Sequence, residues 1–178
     1  MKRLLFRSIS VDIILGPVFV AVLLLLLGVD AVAVRGPSME PVLADGRTVF
    51  VNRLAYGLRG PGRMGYIVSW GTPVAGEIVV FRHPSGGHLA VKRCILGPNT
   101  PVRVAQNRLH AGKQSFRVTP TVVGQLEGLS RIPEGYLFVV GENRASSSDS
   151  RDFGLLPVSA VHGRVGDIWS TAPSRGAS

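Results

Sequence analysis

The sequence has little of the residue types that build metal centres and disulfides. Its 178 residues include one cysteine, Cys94, and four histidines at positions 83, 88, 110 and 162. One cysteine cannot form an intramolecular disulfide, and the four histidines show no metal-ligand spacing. We therefore predict a chain with no metal ion and no other cofactor, in which Cys94 packs in the core.

Acidic and aromatic residues are also few. The chain has eleven Asp and Glu and twenty Lys and Arg, which gives a net charge of +9. Aromatic residues make up 7% of the chain. The basic residues are scattered, without a Lys/Arg run and with few aromatics between them, so we expect no nucleic-acid partner. Anionic lipid headgroups are the predicted partner of this charge, and a solvated basic surface without a partner is the alternative.

One long uncharged run stands near the start, from Ile13 to Val29. A helix of that span covers roughly 25 Å, which is near the lower limit for crossing a hydrocarbon core. Lys2, Arg3 and Arg7 precede the run. The positive-inside rule then predicts a transmembrane helix over residues 11–30, with the N-terminus in the cytoplasm and the rest outside.

A second interpretation of the same run remains open. Ala31-Val32-Ala33 has the small-x-small form of a processing site behind an apolar core. The run is longer than a usual signal core, so the anchor is the preferred interpretation, and cleavage is the alternative.

After residue 35 the sequence has no amphipathic helical run comparable in length to its β segments. Short segments rich in β-branched and aromatic residues alternate with Gly and Pro, such as Thr48 to Arg53, Glu77 to Arg82, Leu89 to Leu96 and Tyr136 to Val140. This pattern is typical of antiparallel sheets closed into a barrel or folded as a sandwich. We predict a mainly β domain after a single N-terminal transmembrane helix.

The turn signals and composition also suggest a division of the chain. We predict a cytoplasmic N-terminus at 1–10, the transmembrane helix at 11–30, a main β domain at 31–97 and 134–170, a small β insertion at 98–133, and a disordered tail at 171–178. The insertion is short enough for one hairpin around Asn107 to Lys113.

The stretch GPSMEPVL, Gly36 to Leu43, places one serine between two prolines. Proline fixes φ and lacks an N–H, so Pro37 and Pro41 stiffen the backbone on both sides of Ser38. A serine held in this way can be a nucleophile, or it can be a turn residue whose hydroxyl bonds the local backbone. These residues alone favour the turn.

A lysine lies inside the apolar strand LAVKRCIL. Alternation puts Lys92 on one face of the strand and Val91 and Arg93 on the other, so one of the two basic residues must face inward or toward a partner. Burial of Lys92 would lower its pKa, and a sufficiently lowered pKa would leave a neutral amine able to take a proton from a serine. A surface lysine on an edge strand is the alternative.

A third polar stretch follows a hydrophobic strand. GENRASSSDSRDFG, Gly141 to Gly154, contains two arginines, four serines and several acids between glycines. Asp149 and Arg151 are spaced to pair across a turn, and a nearby serine could bond Lys92. This density of polar groups is greater than a surface loop needs and indicates a polar network.

Together the three stretches resemble the bacterial type I signal peptidases, membrane-anchored Ser/Lys endopeptidases that remove signal sequences from exported proteins. Four boxes appear in order: Ser38-Met39-x-Pro41, the strand Val49 to Val51 after Asp45-Gly46, Lys92-Arg93 after Glu77 to Phe81, and Gly141-x-Asn143-Arg144 with Ser147-x-Asp149-Ser150-Arg151. The resemblance covers nearly the whole chain after the anchor. It implies that the β domain at 31–97 and 134–170 is the catalytic domain and that the insertion at 98–133 is an accessory β segment.

The resemblance implies a role for each matching residue. Ser38 would be the nucleophile, Lys92 the general base, and Ser147 the serine that bonds the lysine amine and orients it. Arg93, Asp149 and Arg151 would form a structural polar network. Gly36 and Ser38 would form the oxyanion region, with the Ser38 backbone N–H as donor. Met39, Leu43 and Val91 would wall the pocket for a small side chain.

The chain departs from the family pattern at three positions. Glu142 stands where Asp is usual, Val42 where Thr is usual, and Gly36 where some members carry a hydroxyl that supports the oxyanion. Because other members have Gly at that position, we expect Gly36→Ser to leave activity equal or higher.

The resemblance implies removal of signal peptides after Ala-x-Ala sites by a monomer in the bacterial cytoplasmic membrane, with exported preproteins and anionic lipid as partners. One alternative is a relative that processes a single client, such as a pilin or conjugation protein. Another is a non-catalytic, membrane-tethered β module that binds lipid or nucleic acid.

Overall fold

The computed structural model describes residues 11–61 and 64–166. The predicted cytoplasmic N-terminus at 1–10 and the predicted disordered tail at 171–178 lie outside the described residues.

The described chain begins with helix α1, Val11–Gly28, which leads directly into strand β1, Val29–Ala33. Pro17 lies inside the helix. Among the described residues, none of the helices combines the length and the hydropathy that a bilayer span requires. The predicted transmembrane helix therefore stays a prediction.

Beyond β1 the chain is built mainly of strands. These are β2 (Thr48–Asn52), β3 (Gly57–Arg59), β4 (Tyr66–Ser69), β5 (Ile78–Arg82), β6 (Leu89–Leu96), β7 (Arg103–Ala105), β8 (Arg108–Ala111), β9 (Gln114–Arg117), β10 (Tyr136–Val140), β11 (Leu156–Pro157) and β12 (Val161–Val165). Two short helices accompany them, α2 (Pro120–Leu126) and α3 (Ser150–Phe153). The prediction of a mainly β, antiparallel domain is confirmed.

The principal sheet has seven strands in the order β1-β2-β12-β5-β6-β10-β11. Neighbouring strands are antiparallel, so β1, β12 and β6 all run in the same direction. Because α1 enters at the start of β1, the far end of β6 lies at the opposite end of the sheet from α1.

Both faces of the principal sheet are buried at its centre. Ile78 and Val80 of β5 pack in one apolar cluster, and Val79 and Phe81 pack in another. Alternate residues of β5 therefore pack in two different apolar clusters, which explains why residues 78–81 are all apolar rather than every second one.

A three-stranded sheet, β7-β8-β9, and α2 occupy the segment after β6. Leu109 and Phe116 of this sheet are buried with Val122 and Leu126 of α2 in a third apolar cluster. Residues 98–133 thus contain three strands and a helix rather than one hairpin. The division of the chain into domains stays a prediction.

Candidate active site

The turn that carries Ser38 follows β1 and is held by its neighbours. Pro37–Met39 form a single 3-10 turn, and the side chain of Met39 is completely buried. Burial of a methionine side chain stabilises a fold by roughly 1.5–3 kcal/mol, so Met39 fixes the residue beside it. Ser38 is left half-buried at the surface of the core.

Gly36 precedes this turn in a conformation that favours glycine. Its φ is 81° and its ψ is 164°, and its N–H donates to Asp45 Oδ1 at 2.7 Å. Residues with a Cβ atom rarely adopt this backbone conformation, which is essentially restricted to glycine. The sequence led us to expect equal or higher activity in Gly36→Ser, and this backbone conformation argues for the opposite.

We now expect Gly36→Ser to lower kcat/KM by more than about tenfold, because the nucleophile turn would have to move to relieve about 1–3 kcal/mol of backbone strain. Peptide cleavage by the purified variant measures this effect. Gly124→Ser is the matched control, since Gly124 is helical and no atom lies within 4 Å of an added Cβ. Equal activity in Gly36→Ser and Gly124→Ser would contradict the expectation.

Lys92 comes from the middle of β6, which places it against the serine turn. Its Nζ donates to Ser38 Oγ at 2.6 Å, although 54 residues separate the two in sequence. Only 5% of Lys92 is exposed. The structure thus brings together the two residues predicted as nucleophile and general base.

The surroundings of Lys92 favour a neutral amine. Burial lowers the pKa of Lys92 below its ordinary value, the charge of Asp149 opposes this, and the charge of Arg151 lowers the pKa further. The net direction is downward. A neutral amine within hydrogen-bond distance of a hydroxyl can accept its proton.

Asp149 is the centre of the polar network beside this pair. Its side chain is completely buried and accepts hydrogen bonds from the Arg151 guanidinium, the Gly141 N–H and the Ser147 hydroxyl, at 2.7 to 2.9 Å. Burial alone would raise the pKa of Asp149, but these hydrogen bonds outweigh it and the pKa lies below its ordinary value. The carboxylate is therefore ionised and fully paired.

Ser147 takes a different partner from the predicted one. Its Oγ donates to Asp149 Oδ2 at 2.7 Å, and no hydrogen bond between Ser147 and Lys92 is present in this part of the chain. A buried carboxylate is a stronger hydrogen-bond acceptor than a neutral amine, so the Ser147 hydroxyl donates its hydrogen bond to Asp149. Ser147 lies next to the network rather than on the lysine.

Gly141 lies where the nucleophile turn and the polar network meet. A Cβ at this position would come within 2.2 Å of Ser147 Oγ and 2.6 Å of the Ser38 carbonyl oxygen. The next turn reinforces the contact, because Asn143 N–H donates to the same Ser38 oxygen at 3.1 Å. The absence of a side chain at 141 is what lets the two segments touch.

A groove of about 800 Å³ passes over the Ser38–Lys92 pair. It is lined on one side by residues 31–35 and on the other by residues 89–92. Among the described strands, β1 pairs only with β2, and the 89–92 part of β6 pairs only with β5. Each wall therefore offers an unpaired backbone edge, which is the feature that accepts an extended peptide.

The model of one protein family matches residues 7–170, and its description is "Signal peptidase, peptidase S26". The chain belongs to this family.

Curated relatives agree with the family match. Signal peptidase I of Pseudomonas aeruginosa is 27% identical over 82% of this chain and 66% of its own length. Signal peptidase I of Bacillus caldolyticus is 32% identical over 74% of each chain. The chain thus spans 66% of the first of these relatives, slightly less than two thirds. A crystal structure of a signal peptidase I from Enterococcus faecalis V583 matches 55% of this chain and all of its own, with 24% identity and a TM-score of 0.39.

The signal peptidase family pattern has Asp where this chain has Glu142. In the structure, the Glu142 carboxylate is paired with an arginine. Glu142 Oε1 accepts a hydrogen bond from Arg93 Nε, and Arg93 also donates to the Gly76 carbonyl. Arg93 thus joins β6 to the last box, and within the described residues no hydrogen bond joins Arg93 to Asp149 or Arg151. The hydrogen bonds of Arg93 and those of Asp149 therefore form two groups.

Two of the three predicted pocket residues line the signal peptidase groove. Met39 and Val91 contribute to its lining, whereas Leu43 does not, although all three belong to the same apolar cluster. The Leu43 N–H donates to the Met39 carbonyl, and this turn directs Leu43 into the core. The assignment of Leu43 to the pocket is corrected accordingly.

Several residues that line the groove were not predicted from the sequence, among them His83, His88 and Ser148. The two imidazole rings stack with centroids 5.0 Å apart and planes 8° apart. Both histidines flank the turn between β5 and β6, where Arg82 pairs with Leu89. The turn signal Pro84-Ser85-Gly86-Gly87 between the two apolar segments is the sequence feature that could have placed them at a hairpin beside Lys92. No group of three or more metal-binding side chains occurs within residues 11–61 and 64–166.

Proposed function

We propose that this chain is a serine endopeptidase that removes N-terminal signal peptides from exported preproteins, cutting after small-x-small sites. The observation that carries the proposal is the 2.6 Å hydrogen bond between a buried lysine and Ser38, at the floor of a peptide-sized groove. Membership of the signal peptidase family supports the same activity.

The chemistry follows from the protonation state of the lysine. Neutral Lys92 takes the Ser38 proton as Oγ attacks the scissile carbonyl, and the ammonium then gives that proton to the departing amine. A second proton transfer to Lys92 activates the water that hydrolyses the acyl-enzyme. The Ser38 N–H is the proposed donor to the oxyanion, since the Gly36 N–H is already bonded to Asp45.

The groove favours an extended substrate with small side chains. The unpaired edges of β1 and β6 offer main-chain hydrogen bonds, and alternate side chains of the substrate would face the walls. Ala31, Ala33 and Ala90 contribute short side chains, whereas Val91 and Met39 close the floor beside Ser38. We propose that Met39 and Val91 select a small residue before the scissile bond.

The last box has a positioning role in this proposal. The Asp149 carboxylate accepts hydrogen bonds from the Arg151 guanidinium, the Ser147 hydroxyl and the Gly141 N–H, and so fixes these three groups relative to one another. Its charge raises the pKa of Lys92 and so limits the effect of burial. We propose that Ser147 acts on the lysine through Asp149 and not by direct contact.

Cleavage of a purified preprotein that ends its signal in Ala-x-Ala tests the proposal. We expect one cut after that site, with kcat/KM that rises with pH and levels off above the pKa of Lys92, at a pH below the ordinary 10.5. A flat profile between pH 6 and about 10 would contradict the assignment of Lys92 as base. Cutting of one preprotein among several would indicate a relative devoted to one client.

We propose that residues 11–30 anchor the enzyme in the bacterial cytoplasmic membrane, with the groove outside and anionic lipid around the anchor. The uncharged run from Ile13 to Val29 and the basic residues before it support this placement. We also propose a monomer. Protease added to spheroplasts should digest residues beyond 35, and protection of those residues in intact spheroplasts but not in lysed ones would reverse the orientation.

A further inference from the structure

The three-stranded sheet β7-β8-β9 has one apolar face and one basic face. Residues opposite each other in antiparallel strands point to the same side of the sheet, so the register shows which side chains share each face. Val104, Leu109 and Phe116 share the face that packs on the apolar cluster. The outer face carries Arg103, Ala105, Arg108, His110, Ser115 and Arg117.

The basic residues of this outer face lie directly opposite one another. Arg108 is the partner of Arg117, and Arg103 is the partner of His110. Like charges in opposite positions destabilise a sheet. The three arginines are exposed, and none of them forms a salt bridge with a carboxylate in the described parts of the chain. Arg108 Nε donates to the Ser115 hydroxyl, which leaves the positive charge uncompensated.

No acidic residue occurs between Arg103 and Arg117, and Lys113 in the turn after β8 adds a further positive charge. An arrangement that costs stability in the isolated chain indicates a negatively charged partner. Guanidinium groups bind carboxylates in a paired geometry, so a segment rich in Asp and Glu fits this face. The aromatic ring of the sheet, Phe116, faces the core, so the outer face has no platform for stacking bases.

The position of the face argues against a membrane partner. The sheet follows the end of β6, and α1 enters at the opposite end of the principal sheet. It is nevertheless joined to the active site, because the Arg144 guanidinium lies 5.5 Å from the centre of the Phe116 ring. The neighbouring Asn143 N–H bonds the Ser38 carbonyl. The nucleophile turn and β9 are therefore linked through two successive residues.

The path of a substrate leads toward the same end, and this step rests on the proposed function. A signal peptide held in the membrane beside α1 would enter the groove at the start of β1. Ser38 follows the other end of β1, so the polypeptide beyond the scissile bond leaves on the side away from α1. That is the side on which the three-stranded sheet lies.

We propose that the outer face of β7-β8-β9 binds an acidic segment of the mature part of the preprotein, beyond the cleavage site. This contact holds the substrate through a second, electrostatic site. It makes the charge of the early mature sequence a determinant of cleavage efficiency.

Two matched preproteins test the inference with the full chain in detergent. Both carry the same signal and Ala-x-Ala site, followed by mature residues with four Asp and Glu in one substrate and Asn and Gln at the same positions in the other. We expect kcat/KM to be about fivefold higher for the acidic substrate at low salt, mainly through KM, and equal for both in 0.5 M NaCl.

The triple variant Arg103→Gln, Arg108→Gln, Arg117→Gln should abolish the preference and leave cleavage of the neutral substrate unchanged. The triple Arg→Lys variant should retain most of the preference, which separates charge from local structure. Arg82→Gln is the matched control away from this sheet, since Arg82 is an exposed arginine on β5. Equal thermal midpoints of the variants check that the sheet remains folded.

A preference for the acidic substrate that persists in the Gln variant would overturn the inference, as would no preference in the wild type. Loss of binding to phosphatidylglycerol vesicles or to a single-stranded oligonucleotide, with the substrate preference intact, would assign the face to lipid or nucleic acid instead. Failure of the wild type to cut even the neutral substrate would refute the proposed function separately.

Discussion

Lys92→Ala is expected to lower kcat/KM for an Ala-x-Ala preprotein by at least about a thousandfold at any pH, because Lys92 is the group that is hydrogen-bonded to the Ser38 hydroxyl and can take its proton. Lys92 Nζ lies 2.6 Å from Ser38 Oγ, and burial lowers the pKa of this amine. Single-turnover cleavage by purified protein measures the loss. Ser38→Ala should show the same loss, and the double variant should lose no more than either single one.

Lys113→Ala is the matched control, since Lys113 is the exposed lysine in the turn between β8 and β9. It should cleave a neutral substrate at the wild-type rate. If folded Lys92→Ala retained more than about a tenth of the wild-type kcat/KM, the Ser/Lys mechanism would be wrong.

The same substitution has a predicted signature in stability. Lys92 has a lowered pKa in the folded chain, so the unfolded chain binds more protons between that pKa and the ordinary value of 10.5. The free energy of unfolding of the wild type should therefore rise with pH within this window. Lys92→Met, which keeps the apolar part of the side chain, should lack that slope in denaturant titrations.

Gly141→Ala is the second change with a large expected effect. The new Cβ would overlap Ser147 Oγ and the Ser38 carbonyl oxygen, so the nucleophile turn must move away from the polar network. Overpacking of this kind costs about 1–3 kcal/mol, and a displacement of about 1 Å at the nucleophile costs about a hundredfold in rate. We expect a loss of activity of that size, with a smaller loss of stability.

Gly124→Ala provides the comparison for Gly141→Ala. Gly124 lies within α2 with no atom within 4 Å of an added Cβ, so alanine there should keep full activity and stabilise the fold by up to about 1 kcal/mol. Full activity of folded Gly141→Ala would show that the two segments have room to separate without harm.

The two central residues of the site could be predicted from local patterns. Lys92 interrupts an apolar strand, and alternation restricts where such a side chain can point. Ser38 lies between prolines that prevent a regular helix. Each pattern alone favoured an ordinary structural role, and only the match of several boxes to a known family brought the two residues together.

The errors in the site have physical causes. Leu43 and Met39 are both apolar, and sequence alone does not distinguish a groove wall from the core beneath it. The partner of Ser147 depends on which acceptor lies within reach, and Asp149 outcompetes Lys92 because it is a buried carboxylate. The strained backbone of Gly36 is a property of tertiary structure, so the letter G could not reveal it.

The small sheet shows a similar limit. The strands β7, β8 and β9 are three to four residues long, too short for a clear periodic signal. The cross-strand pairing of Arg108 with Arg117 depends on the register of β8 and β9, and amino-acid composition does not determine that register.

The position of β12 has a consequence for when this molecule can work. This strand is the last one in the described sequence, yet it lies between β2 and β5 in the principal sheet. Until residue 161 has been made, β2 and β5 lack the strand that lies between them in the finished sheet, and the serine turn and the lysine strand belong to the two parts that β12 joins. We therefore expect the serine and the lysine to be fixed in their final positions only after almost all of the described chain has been synthesised.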